Sequence, residues 1–253
     1  GKTLSAADGC VEAVIQTASM GAIHLVRHGQ ASFGADDYDR LSPLGEEQAR
    51  LLGSWIRDCG FKLDQVVLGT ARRHRQSAEQ CLAAYGAGPA SQDWLVDAGF
   101  DEFDHHEVVI RYRPDLAEPG ALGRFLAQSA HPHRAFQSMF TMAVARWVGG
   151  KQDADYRESW PAFRQRCRAG FDRLLATAGP SHAVWVFTSG GAISALLQSV
   201  LAIPDTRIFE LNWTLVNSGV TRLRYRPGRV SLDYLNSQAH LERQRRPALI
   251  TYR

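Results

Sequence analysis

Three times along this 253-residue chain a short, continuous apolar run breaks off at a glycine-bearing turn and gives way to helical spacing. The runs are "AIHLV" (22–26), ended by Arg27-His28-Gly29; "DQVVLGT" (64–70), followed by "ARRHRQSAEQCLAAYG"; and "HAVWVFTSGG" (182–191), followed by "AISALLQSVLAI". Unbroken rather than alternating apolarity is the mark of a strand covered on both faces, and strand-turn-helix repetition brings parallel strands with right-handed crossovers. Ser42-Pro43 has the form of a helix start, and Ala49, Leu52, Trp55 and Ile56 recur at helical spacing up to Gly60, giving the first crossover helix. The class is α/β: three layers, α/β/α, a mostly parallel sheet with helices on both faces.

The remaining segments fit around that sheet. "LVNSGVTRLRYRPGRVSLDYLN" reads as two strands about a Pro227-Gly228 turn, suited to a sheet edge. Residues from about 105 to 178 carry helical patterns with polar breaks ("LGRFLAQSA", "AFQSMFTMAVARWV", "WPAFRQRCRAGFDRLLATA") and are expected to form a helical cap insertion over the strand ends. Residues 20–253 are expected to form one domain with this cap. Residues 1–19 are read as an N-terminal extension without chemistry, because Met20 stands directly before the first strand.

Charge and cysteine usage remove several alternatives. Lys+Arg 29 against Asp+Glu 26 is near balance, which implies no nucleic-acid partner but leaves room for a local basic pocket and a small anionic substrate. Cys10, Cys59, Cys81 and Cys167 have no CxxC spacing, so neither a zinc site nor a disulfide scaffold is indicated and a cytoplasmic location is the simplest expectation. No apolar run approaches the roughly 18 residues of a membrane span. The histidines show no metal-ligand spacing, so no metal or cofactor is expected. Oligomeric state has no sequence signature here.

In open α/β sheets ligands sit beyond the carboxyl ends of the strands, where this chain places Arg27, His28 and Gly29. A guanidinium beside an imidazole binds anionic oxygens and disfavours ring protonation, leaving a free nitrogen nucleophile for phosphoryl transfer at neutral pH. The combination of "RHGQAS" with "LSPLGEEQA" resembles the histidine phosphatase superfamily, the phosphoglycerate-mutase-like enzymes, over residues 22–102 and again over 182–220. The resemblance implies hydrolysis of a phosphomonoester through a phosphohistidine on His28, without metal. By the same resemblance "GTARRHRQSA", set in register on Gln76-Ser77-Ala78, marks Arg73 as the second phosphate-binding arginine. "GFDEFDHHE" places the proton donor at Glu102, with Asp97 as the competing position. The resemblance further implies phosphate contacts from Gly29, Gln30, Ser32, Ser189 and Gly190.

One position departs from the pattern. Family members usually carry a second histidine after the late strand, and Ser189 occupies its place. Its hydroxyl, the backbone N–H groups of Gly190 and Gly191, or His105 or His106 are candidate substitutes, although the histidine pair also reads as a surface loop. Phosphoglycerate-mutase-like transfer and a phosphate-ester-binding protein of low activity are the alternatives within the family. Because Ser189 lies on a strand-turn-helix, a serine hydrolase is a further one, weakened by Phe187 where a nucleophile elbow has glycine.

Overall fold

The alternation of covered strands and helices is realised as a six-stranded sheet. The computed structural model describes residues 20–32 and 39–252; the segment read as an extension, residues 1–19, lies outside them. Strands β1 (Gly21–Arg27), β2 (Gln65–Leu68), β3 (Leu95–Val96), β4 (Ala183–Thr188), β5 (Val220–Arg226) and β6 (Arg229–Ser237) lie in the order β3-β2-β4-β1-β5-β6. The four strands from β3 to β1 pair in parallel, and β5 and β6 pair antiparallel to their inner neighbours, as the Pro227-Gly228 turn requires.

The period of two within each run divides the apolar residues between two layers. Ile23, Leu25, Val67, Val184 and Val186 join one core, and Val26, Val66, Leu68, Trp185 and Phe187 join the other. Helices α1 (Pro43–Asp58) and α2 (Arg72–Tyr85) close the second core with Leu52, Ile56, Ala78 and Cys81. Helix α1 starts where Ser42 caps it, the hydroxyl accepting the Gly45 N–H at 3.1 Å, and α2 stops at Gly86 in the left-handed conformation (φ 76°) that glycine adopts without strain.

The insertion between β3 and β4 divides in two. Helices α3 (His105–Tyr112), α4 (Ala121–Ala127) and α5 (Pro132–Val148) pack on one another and carry the cap. Helix α6 (Trp160–Thr177) does not join them: Phe163, Cys167 and Phe171 are buried in the core over the sheet, and the helix packs against α7 (Gly190–Leu201). It thus serves as the crossover helix into β4, and the cap is shorter than the 105–178 span expected. Helix α8 (Asp205–Thr214) packs against both α7 and α5, joining cap to body. Among the described residues no helix is long and apolar enough to cross a membrane.

Candidate active site

Chain geometry brings Arg27 and His28 to the carboxyl end of β1, beside the end of β4, where the His28 N–H donates to the Thr188 carbonyl at 2.9 Å. Gly29 follows because the chain must pass close to α1: a Cβ there would lie 2.3 Å from the Gly45 carbonyl oxygen. Its N–H donates to the Ser77 hydroxyl at 3.0 Å, fastening the turn to α2.

The His28 ring is 6 % exposed and has a defined tautomer. Its Nδ1 lies 2.7 Å from the Gly29 carbonyl, which only accepts, so Nδ1 carries the proton and Nε2 keeps its lone pair. Arg73 Nε–H donates to that Nε2 at 3.3 Å. Burial, then Arg73, His74 and Arg27, hold the ring well below the ordinary histidine range, so it is neutral at physiological pH.

Both arginines are anchored. Arg73 pairs through Nη1 with Asp39 Oδ1 at 2.7 Å, and the other Asp39 oxygen accepts the Arg72 backbone N–H at 2.8 Å. Arg27 donates from Nη1 to the Leu215 carbonyl and from Nη2 to the Tyr252 carbonyl, the latter at 3.0 Å. Arg72, next to Arg73, is exposed on α2.

Glu102 stands at the end of a loop clamped to the body. Thr188 Oγ1 donates to the Phe100 carbonyl at 2.5 Å, and Arg166 of α6 donates to the carbonyls of Ala98 and Asp101. Glu102 Oε2 accepts the Gly191 N–H at the start of α7 at 3.2 Å and lies 3.8 Å from His105 Nε2, beyond hydrogen-bond length. Asp97 belongs to another system. Its carboxylate takes both Nε and Nη2 of Arg173, at 2.9 and 2.7 Å, and caps the turn at 98–100 through the Gly99 N–H. The Arg173 guanidinium holds it below the usual carboxylate range, and between the two candidates only Glu102 faces the cavity described below.

Ser189 closes the floor, 0 % exposed, with its Oγ 2.7 Å from His74 Nε2 and 3.5 Å from Arg73 Nη2. His74 is the residue that the sequence reading passed over. One position beyond Arg73 on α2, it sets an imidazole against Ser189, its ring centroid 5.8 Å from that of His28. Burial holds His74 at about 3, so it too is neutral. The substitute expected at His105 or His106 is therefore not the one beside Ser189. Those two residues open α3 and line the cavity rather than forming a surface loop. Asp39, which orients Arg73, was also passed over.

Gln30 and Ser32 are not brought to the floor as phosphate ligands. Gln30 Oε1 accepts the Ser42 hydroxyl at 2.8 Å and its N–H donates to Gln48 Oε1, while the Ser32 hydroxyl donates to the Leu41 carbonyl at 3.1 Å. Both satisfy the loop leading to α1, because neighbouring His28 in sequence does not aim a side chain at it. Gly190 does border the site: a Cβ there would lie 2.8 Å from Asn212 Oδ1 and 3.6 Å from Arg27 Nε.

A cavity of about 670 Å³ opens between floor and cap. Arg27, Glu102 and Gly190 line its lower side, and α3, α5 and α8 its walls. His28, with Arg73 on its Nε2, is not among the lining residues.

Buried strand-end imidazole, two anchored guanidiniums and a carboxyl group across the cavity define a phosphoryl-transfer type of site. The sequence profile of the histidine phosphatase superfamily (branch 1) matches residues 23–238, and the chain belongs to that superfamily. Among curated proteins it is similar to the serine/threonine-protein phosphatase PGAM5, mitochondrial, of Xenopus tropicalis, 42% identical over 59 residues; the match spans 22% of this chain and 21% of the relative's length. Among solved structures it resembles phosphoglycerate mutase from Bacillus anthracis (TM-score 0.60, 15% identity, 90% of this chain and 98% of that one). It also resembles a mycobacterial glucosyl-3-phosphoglycerate phosphatase (TM-score 0.57, 21% identity, 86% and 99%). At these identities the structural likeness speaks for the fold alone.

Proposed function

We propose that this protein hydrolyses phosphomonoesters through a phosphohistidine on His28. The observation that carries the reading is the state of that ring: Nδ1–H committed to the Gly29 carbonyl, Nε2 unprotonated and met by Arg73. The Nε2 lone pair attacks phosphorus while Arg27 and Arg73 hold the non-bridging oxygens. The bond from phosphorus to the ester oxygen breaks, and the departing oxygen takes its electron pair together with a proton from Glu102. Water then attacks the phosphohistidine, giving its proton to the Glu102 carboxylate as the P–N bond returns its pair to Nε2. Inorganic phosphate leaves and both groups are restored. The curated relative matched over 59 residues is a phosphatase, which supports hydrolysis over mutase-type transfer.

A serine-hydrolase reading has one observation in its favour, the 2.7 Å contact of Ser189 Oγ with His74 Nε2. Two facts oppose it. Both side chains are fully buried, and among the described residues no carboxylate hydrogen-bonds His74 to orient it.

Rapid acid-free quenching of the purified protein with a labelled phosphomonoester tests the reading. Acid-labile, base-stable label is expected on the wild type and absent from His28→Ala. Turnover that persists in His28→Ala overturns it.

A further inference from the structure

The cavity over the floor is walled with hydrocarbon. Ile110, Leu116, Leu122, Phe136, Phe140 and Trp213 converge on it from α3, the turn after it, α4, α5 and α8. Its aromatic side is ordered: Phe136 and Phe140 stack with centroids 5.7 Å apart, and Trp213 and His105 meet Phe140 edge-on at 5.6 and 5.4 Å. Charge is confined to the floor. Among the described lining residues Arg27 is the one Lys or Arg and Glu102 the one carboxylate, and burial lowers His105 below the ordinary histidine range.

This arrangement discriminates between leaving groups. A carboxylate or a second phosphate on the alcohol meets no further Lys or Arg among the lining residues, since Arg27 is committed to the transferred phosphoryl group. A polyhydroxylated alcohol turns most of its hydroxyls onto aliphatic and aromatic surface, with polar side chains to meet them only at His105, His106, Gln137, Asn212 and Tyr252. A bulky apolar alcohol gains the transfer of its own surface from water against the aliphatic and aromatic majority of the lining, and an aromatic one gains stacked and edge-to-face neighbours as well. The volume, about 670 Å³, lies in the range of pockets that enclose a drug-sized molecule.

We infer that the leaving group is an uncharged, predominantly apolar alcohol, with aryl-alkyl alcohols favoured over polyols, amino acids and carboxylated alcohols. This inference rests on the phosphatase reading of the floor.

Monoesters of primary alcohols test it, because their leaving-group basicities are similar and differences in kcat/KM report on the walls. Ethyl, hexyl and 2-(2-naphthyl)ethyl phosphate, glycerol 3-phosphate and phosphoserine form the set, all below micelle-forming concentrations. Each buried methylene is expected to raise kcat/KM about three- to fourfold, placing hexyl about 10²-fold above ethyl phosphate. The naphthylethyl ester is expected to equal or exceed hexyl, with glycerol 3-phosphate and phosphoserine at or below ethyl. Phe136→Ala, and independently Leu122→Asn on another helix, are expected to lower the hexyl-to-ethyl ratio at least threefold. A series that is flat with chain length, or that favours glycerol 3-phosphate or phosphoserine, overturns the inference while leaving the phosphatase reading intact. If none of these esters, nor p-nitrophenyl phosphate, releases phosphate and no label is trapped on His28, the reading of the floor falls and the inference with it.

Discussion

The floor and the walls of this cavity are built by opposite rules. On the floor the polar groups are held by named partners: His28 Nδ1 by the next carbonyl of its own strand end, and, from other elements, Arg73 by an acid before α1, Arg27 by two carbonyls after α8 and Glu102 by the start of α7. Hydrogen bonds are directional and lose strength steeply with misalignment, so such a site favours one arrangement of its groups. The walls are aliphatic and aromatic side chains on helices of the cap, whose attraction for a guest scales with area and tolerates many shapes. The floor therefore determines which bond breaks and the walls determine what is attached to it. The two halves should respond to mutation differently, floor variants in rate on every substrate and wall variants in the ratio between substrates.

The largest test of that division is His28→Ala, expected to cost about 10⁴-fold or more in kcat on ethyl and hexyl phosphate alike, because the variant lacks the proposed nucleophile. A loss confined to one ester breaks the distinction. The pH profile sharpens it further. A histidine whose folded pKa is depressed is protonated, and inactive, only below that lowered value, so the limb due to His28 is expected well below pH 6.5 and at the same position for every ester. A limb that moves with the substrate places the titrating group elsewhere.

Next in size are the arginines. Arg73→Ala is expected to lower kcat/KM about 10²- to 10³-fold on all esters, while Arg72→Ala, whose side chain is exposed, is expected to stay within about threefold. Equal losses in steady-state assays remove the assignment of Arg73. Glu102→Gln is expected to fall about 10²-fold for alkyl esters, whose departing alkoxide requires a proton, and much less for p-nitrophenyl phosphate, whose leaving group does not. Asp97→Asn, which keeps the acceptor for the Gly99 N–H but loses the charge paired with Arg173, is expected to lower the urea midpoint slightly with kcat retained.

The same contrast explains what the sequence made legible. β1, β2, β4, α1 and α2 are local objects: a covered strand is an apolar run, and Ser42 and Gly86 mark helix ends by backbone chemistry that acts within a few residues. Arg27 and His28 are legible for the same reason, since the strand end places them, whereas Arg73 is singled out from Arg72 and Arg75 only by the family resemblance in register on Gln76-Ser77-Ala78. Gln30 and Ser32 make loop contacts here, which their proximity in sequence to His28 does not reveal, because proximity in sequence says nothing of side-chain direction. α6 was assigned to the cap because helical periodicity reveals an apolar face and not the layer that covers it. His74 left no local signal, its partner Ser189 being 115 residues away. The walls were invisible for a related reason: Phe136, Phe140 and Trp213 have the spacing of ordinary core residues, and only the tertiary arrangement leaves a cavity between them.

The smallest expected effect separates the two readings of the floor's most unusual pair. If Ser189 only supports Arg73 and His74, Ser189→Ala removes one neutral hydrogen bond, to His74, of about 0.5–1.5 kcal/mol and a long 3.5 Å contact from the Arg73 guanidinium, and phosphatase rates are expected to fall no more than about tenfold. His74→Gln, which keeps a donor near the same place, is expected to be equally mild, and His74→Phe worse, since it leaves the Ser189 hydroxyl buried without its ring partner. Because the two residues act through one contact, the double variant Ser189→Ala with His74→Gln is expected to lose about as much as the worse single one, and a double-mutant cycle on kcat/KM measures that coupling. The loss is expected to be uniform across ethyl, hexyl and naphthylethyl esters, as for every floor residue. A Ser189→Ala protein dead toward carboxyl esters, beside a His28→Ala protein that still cleaves them, would instead make Ser189 the nucleophile, and the floor would then belong to acyl rather than phosphoryl chemistry.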